Sequence, residues 1–324
     1  MYPPRRSLLL GALAAPLGMP ALAQPARPWP QRPVRLLVPY APGGGTDAFA
    51  RTLAEGLRPI LGQQVLVENR AGANGVVGSE MVARGDADGH LFLVDTGAHT
   101  MNPYVMPSLP FQPLRDFTAV ALLSRFPMLL AASGAAPYAN VAELVAAAKA
   151  SPRSIGFGTT DAAISYAGNL FCRLAGIEMV EVTYRGAGPM LNDLIAGHLP
   201  TSWNSTVAAL PHIQGGRIRA LGVTTAQRSS LLPEVPTLAE AGVAGYEFAG
   251  WYGMLGPAGL APAIATAMHA AIVQALADAT VRDRLVRIGA DLGALGPAAF
   301  EALRQQEDTR WAQAARDGLI VKAQ

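Results

Sequence analysis

Val34-Arg35-Leu36-Leu37-Val38-Pro39-Tyr40-Ala41-Pro42-Gly43-Gly44-Gly45-Thr46-Asp47 is the stretch whose reading decides the fold. Its first five residues form a nearly continuous apolar run, the pattern of a strand buried on both faces. Three glycines follow, and then Phe49, Leu53, Leu57, Ile60 and Leu61 recur at helical spacing until Gly62. Pro59 is expected to distort the last turn of that helix. Strand, glycine turn and helix in this order open an α/β layer. Such a turn leaves backbone N–H groups unpaired at the positive end of a helix, a seat for a carboxylate or phosphate. The Gly-x-Gly-x-x-Gly order of a dinucleotide site is absent, and no Gly-Lys-Ser/Thr follows as a P-loop requires. An ordinary turn with Asp47 completing the helix cap explains the same residues.

Outward from this unit, strand and helix keep alternating. Strands are expected over residues 65–67 and 91–94, with a helix over 76–83 between them. A second series starts near Met128. Asn140 and Glu143 form a capping box before a helix over 144–150. Then come a strand over 154–159, a helix over 165–175, a strand over 179–182, a helix led by Pro189 and a strand over 219–224. Thr237 and Glu240 predict one more capped short helix. The remainder is expected to be helical, over 262–277, 280–288 and 298–315, as amphipathic elements whose charges face water.

This alternation predicts α/β layers built on mostly parallel sheets flanked by helices. About 300 residues exceed one ordinary core, which predicts two lobes. With no linker in the sequence, the chain is expected to cross between lobes as strands, at 125–130 and 249–255. The first lobe is then 24–127 plus 250–324, and the second 128–249. Two lobes joined by two hinge strands can close over a small solute.

Residues 1–23 are set apart. Arg5 and Arg6 precede a mostly apolar stretch over 8–22, and Ala21-Leu22-Ala23 is a small-x-small site. This is the layout of a cleavable signal peptide, predicting export to the periplasm. Arg5-Arg6-Ser7-Leu8-Leu9 partly matches a twin-arginine signal. Of 25 basic and 23 acidic residues, the leader holds two arginines and no acid, so the remaining chain is formally neutral. A neutral chain has no electrostatic footprint for nucleic acid or an anionic membrane. Arg125 and Pro127 interrupt the most apolar internal stretch, so no second membrane span is expected.

Little in the sequence points to catalysis. Cys172 is the single cysteine, which excludes an internal disulfide and reads as a small core residue. His90, His99, His198, His212 and His269 are scattered without ligand spacing or acidic neighbours in sequence, so neither a metal site nor a cofactor is expected. No Gly-x-Ser-x-Gly elbow is present. A second turn does match the first: Phe157-Gly158-Thr159-Thr160-Asp161 ends a strand before a helix near Ser165. Two such loops at the carboxyl ends of strands, one per lobe, would grip a ligand from both sides.

An ordered series of further motifs carries a family signal. It includes Val67-Glu68-Asn69-Arg70-Ala71-Gly72-Ala73, Asp88-Gly89-His90, His99-Thr100-Met101-Asn102-Pro103 and Tyr184-Arg185-Gly186. Ala209-Leu210-Pro211-His212-Ile213, Leu232-Pro233-Glu234-Val235-Pro236-Thr237 and Trp251-Tyr252-Gly253 extend it. Together with both turns, these residues resemble the Bug receptors, the extracytoplasmic solute-binding component of tripartite tricarboxylate transporters. The resemblance covers essentially the whole chain after the leader. It implies a two-lobed periplasmic-binding-protein fold of type II and Venus-flytrap closure on a small carboxylate. It also implies a non-enzymatic monomer that delivers its ligand to membrane permease subunits.

Carried onto this sequence, the resemblance assigns the site to Tyr40, Gly43, Gly44, Gly45, Thr46 and Asp47 on one side. Thr159, Thr160, Asp161, Ser165, Tyr184 and Gly186 form the other, with His99 and Asn204 also candidates. Two positions depart from the family pattern. Asp161-Ala162-Ala163 stands where glycines usually follow the paired hydroxyls, and Asn204 stands at a position that is often acidic. An ionised Asp161 at 4 Å from a bound carboxylate would repel it by about 4 kcal/mol at an effective dielectric near 20. Asp161 therefore either pairs with an amine on the ligand or caps the following helix. Docking on a sensor kinase, or an exported enzyme acting on a small carboxylate, are the rival readings.

Overall fold

The computed structural model describes residues 29–184 and 187–320. The expected leader at 1–23 and Gly186 lie outside the described residues. The chain runs β1 (Val34–Val38), α1 (Gly45–Leu61), β2 (Val65–Asn69), α2 (Val76–Ala83), β3 (Leu91–Thr96), α3 (Ala98–Val105) and β4 (Phe117–Ser133). It continues as α4 (Val141–Ala150), β5 (Gly156–Thr159), α5 (Ala162–Ala175), β6 (Val180–Thr183), α6 (Ala187–Ala196), β7 (Thr201–Ser205), α7 (Thr206–Gln214) and β8 (Ile218–Val223). β9 (Ala249–Pro257), α8 (Pro262–Ala277), α9 (Ala279–Arg287), β10 (Asp291–Leu295) and α10 (Pro297–Arg316) complete it.

The two-lobed α/β architecture rests on β4. Strands β2, β1 and β3 pair in parallel, β9 lies antiparallel on β3, and β4 lies antiparallel on β9 from Phe117 to Pro127. From Met128 onward β4 instead pairs with β7 and β8, and β7 leads through parallel β5 to β6. One strand thus passes from the first sheet into the second. The change of partner falls at Pro127, which has no N–H to give a ladder.

Local sequence explains most elements. Val34, Leu36, Leu37 and Val38 are wholly buried, as an internal strand with both faces covered demands. α1 turns Phe49, Leu53 and Leu57 inward, runs through Pro59 and stops at Gly62, whose left-handed φ of 61° lets its N–H reach Arg58 O. Asn140 caps α4 by accepting from Glu143 N, as the capping box predicts.

Several elements differ from expectation. α5 starts at Ala162 rather than near Ser165, because Asp161 caps it. β7 carries no apolar run that would betray it, yet Thr201, Ser202, Trp203 and Asn204 are all buried, and α7 continues past Pro211, which interrupts its apolar run. Thr237 and Glu240 do exchange capping bonds of 3.0 and 2.9 Å, but turns follow instead of a helix. Gly242 and Gly245, at φ of 101° and 76°, break it. β10 fills the gap between two expected helices, where no strand was anticipated, and pairs with β4.

Helix α10 corrects a further expectation. Phe300, Arg304, Glu307, Trp311 and Ala314 form one buried stripe at spacings of three and four, so two of its charges face the interior rather than water. Phe300 packs edge-on against Trp251, whereas Trp311 joins the core built around Phe157, Phe171 and Trp203 of the second sheet. Among the described residues no single helix is long and apolar enough to cross a membrane.

Candidate functional site

A cavity of about 640 Å³ lies where the two sheets meet, within the size range of small-molecule pockets. First-turn residues of five helices border it: Gly45 and Thr46 of α1, Ala98 of α3, Ala163 and Ile164 of α5, Ala187 and Met190 of α6, and Ala208 of α7. Each helix start carries partial positive charge, and with that of α5 taken by Asp161 the other four favour an anion without any cationic side chain. Phe126, Met128, Phe248, Trp251 and Tyr252 supply apolar walls.

The first turn is held from beneath. Gly43 takes a φ of 86°, which L side chains rarely adopt. Its N–H donates to Asp47 Oδ2 at 2.9 Å, while Asn69 Nδ2 donates to Oδ1 at 2.9 Å and Arg51 Nε to Oδ2 at 3.0 Å. Burial would raise the Asp47 carboxyl, but these donors outweigh it and hold the group below its ordinary range. Asp47 is therefore a buried clamp on the turn, not part of the cavity wall. No side chain caps α1, so the amides of Gly45 and Thr46 remain open to the cleft. A Cβ on Gly45 would come within 2.5 Å of Tyr252 Oη, which explains glycine there. The Tyr40 hydroxyl donates to Asp95 Oδ1 at 2.8 Å, and burial keeps it protonated.

The second turn is built differently. Asp161 Oδ1 accepts from the N–H groups of Ala163 and Ile164, each at 3.0 Å, and Thr160 Oγ1 donates to Oδ2 at 3.2 Å. The amides expected to receive a ligand at this turn are thus taken by the protein's own carboxylate. Asp161 caps α5 and at the same time borders the cleft. Partial desolvation at the cleft raises its carboxyl above the ordinary range. Asp161→Ala should cost about 1 kcal/mol of stability in chemical denaturation, whereas Asp161→Asn, an equally good cap, should cost less than about 0.5 kcal/mol. Equal losses would mean that the charge, not the cap, stabilises the turn.

Of the sequence candidates, Tyr40, Gly43, Gly44, Gly45, Thr46, Thr160, Asp161 and Asn204 border the cavity. Thr159 and Ser165 lie behind it, donating to Glu181 Oε1 at 2.7 Å and Oε2 at 3.0 Å, and the Tyr184 hydroxyl donates to Asp193 at 2.9 Å. His99 is buried on α3 against Phe111 and Phe117, with Nδ1 at 3.3 Å from Asp95 Oδ2, and burial lowers its imidazole below the usual range. The histidines do not all lack acidic neighbours: His90 lies 3.2 Å from Asp88 and His198 3.7 Å from Asp193. Local turns bring each pair together. Among the described residues no group of three or more His, Cys, Asp and Glu could hold a metal ion.

Sequence reasoning missed Asn74, Thr96, Glu307 and Trp311, all of which border the cavity. Glu307 Oε2 accepts from Trp251 Nε1 at 2.7 Å and from Thr100 Oγ1 at 2.9 Å, and burial raises its carboxyl. The inward stripe of α10 was the available signal. Among the described residues bordering the cavity there are two carboxylates, Asp161 and Glu307, and no Lys, Arg or His.

Comparison with known proteins places this geometry. Residues 49–319 match the family described as tripartite tricarboxylate transporter family receptor. A protein encoded in the tcbD-tcbE intergenic region of Pseudomonas sp. strain P51 is 34% identical over 95% of this chain and 92% of its own length. BugT of Bordetella pertussis is 31% identical over 95% and 96%. Among solved structures, an adipate-bound protein of R. palustris superposes with a TM-score of 0.83 at 33% identity, covering 91% of this chain and 100% of that one. The malate-bound MatC of Rhodopseudomonas palustris gives 0.77 at 30% identity, covering 89% and 100%. The periplasmic binding protein BugD gives 0.79 at 30% identity, covering 91% and 100%.

Proposed function

The chain belongs to the tripartite tricarboxylate transporter receptor family, and from that premise we propose that it captures a small carboxylate in the periplasm and delivers it to permease subunits. The observation that carries the reading is the convergence of five helix starts on one cavity, with the amides of Gly45 and Thr46 uncapped. A ligand carboxylate would accept from those two amides, and the apolar walls would cover its carbon chain. Residues 24–127 with 250–324 form one lobe and 128–249 the other, with the end of α10 reaching across to the second core, and they close about β4 and β9 by a Venus-flytrap motion. The protein acts as a monomer and transforms nothing, a reading supported by the family's description as a transporter receptor. The family description favours delivery to a permease over docking on a sensor kinase. Adipate and malate in the structural neighbours support a small acid as cargo.

A thermal-shift screen of carboxylates tests this. Ligand at a hundred times its Kd stabilises the folded state by about 2.7 kcal/mol, so a true cargo should raise Tm by roughly 5 °C or more. No shift with any carboxylate would overturn the proposal, and chemical conversion of a bound acid would overturn the receptor role.

A further inference from the structure

Asn204 stands on β7, the wall that faces the α1 turn across the cleft. It is 1% exposed and borders the cavity. Its Nδ2 donates to Ser202 Oγ at 2.6 Å, while Oδ1 has no partner among the described residues. A buried acceptor left without a donor is costly, and native proteins rarely keep one without a use. The neighbouring polar groups point the same way. Asp161 and Glu307 also present acceptors to the cavity, and no described residue bordering it carries a positive side chain. The α1 turn therefore offers donors, at Gly45 and Thr46, whereas Asn204, Asp161 and Glu307 offer acceptors elsewhere on the cavity wall. A plain dicarboxylate satisfies only the donors.

We propose that Asn204 is the specificity-determining residue of this cleft, accepting a hydrogen bond from an ammonium group carried by the same acid whose carboxylate sits at the first turn of α1. This rests on the carboxylate-receptor reading and narrows it to amino acids as the cargo class. Asp161 and Glu307 supply the negative surroundings that favour ammonium over a neutral hydroxyl at that position.

The test uses the full chain and sets of acids that share a skeleton and differ in one substituent: succinate, malate and aspartate; glutarate, 2-hydroxyglutarate and glutamate; propionate, lactate and alanine. Calorimetric affinities should favour the amino member of the binding set over the unsubstituted one by tenfold or more. Asn204→Asp should preserve or widen that ratio, because it keeps an acceptor. Asn204→Leu should level it to within threefold. If Asn204→Leu does not fold, as judged by circular dichroism, the Asn204→Asp result decides. A lead by the unsubstituted or hydroxy acid, or loss of the preference in Asn204→Asp, overturns the assignment while leaving the receptor reading intact. An unchanged ratio in Asn204→Leu does the same. Failure of every acid to bind overturns both.

Discussion

Gly45→Val is expected to abolish ligand capture, lowering affinity for any acid found by screening at least 100-fold in calorimetry, with the far-ultraviolet circular dichroism unchanged. The reason is steric. The first added carbon would lie 2.5 Å from Tyr252 Oη, closer than real Cβ contacts allow. Tyr252 has little freedom to retreat: its ring packs at 5.2 Å from Phe49 and 4.6 Å from Phe126, and its strand is paired on both sides. The first turn of α1 must move instead, carrying the Gly45 and Thr46 amides away from the ligand's carboxylate. Hydrogen bonds to charged groups are worth about 1.5–3 kcal/mol each, so losing two gives roughly the 100-fold effect or more. Gly44→Ala should lose less than tenfold, since the nearest atom to its added carbon is Ala41 O at 3.8 Å. Native affinity in Gly45→Val would show that this turn does not hold the ligand.

The same turn shows why some of the site is legible in sequence and some is not. A strand, three glycines and an amphipathic helix announce themselves locally, because chain reversal, φ above zero and helical periodicity each leave a residue signature. β7 leaves none. Thr201-Ser202-Trp203-Asn204-Ser205 resembles a loop, and it is buried only because tertiary bonds satisfy it, such as Thr201 Oγ1 to Gly156 O at 2.8 Å. Glu307 and Trp311 reach the cleft from the far end of the chain, a juxtaposition that only the return of α10 creates. Asp161 illustrates a different limit. Its residue type fits a helix cap and a ligand contact equally well, and the structure places it where it caps α5 and borders the cavity together.

Trp311→Ala carries the largest expected loss of stability, about 3–5 kcal/mol in chemical denaturation, with an unchanged dependence on denaturant. The side chain is 1% exposed and packs edge-on against Tyr166 at 4.9 Å and Phe248 at 6.0 Å, so truncation leaves a void in the second core. It also removes the donor to Thr100 Oγ1 at 3.1 Å, the hydroxyl that in turn donates to buried Glu307. Against a total stability of about 5–15 kcal/mol for a typical fold, such a loss is severe. Trp311→Phe separates the two contributions: it refills most of the void and should cost about 1–2 kcal/mol through the missing hydrogen bond. A loss below about 1 kcal/mol in Trp311→Ala would mean that α10 does not depend on this anchor. Since Trp311 also borders the cavity, its truncation should weaken ligand binding along with stability, because α10 then no longer seats against the second core.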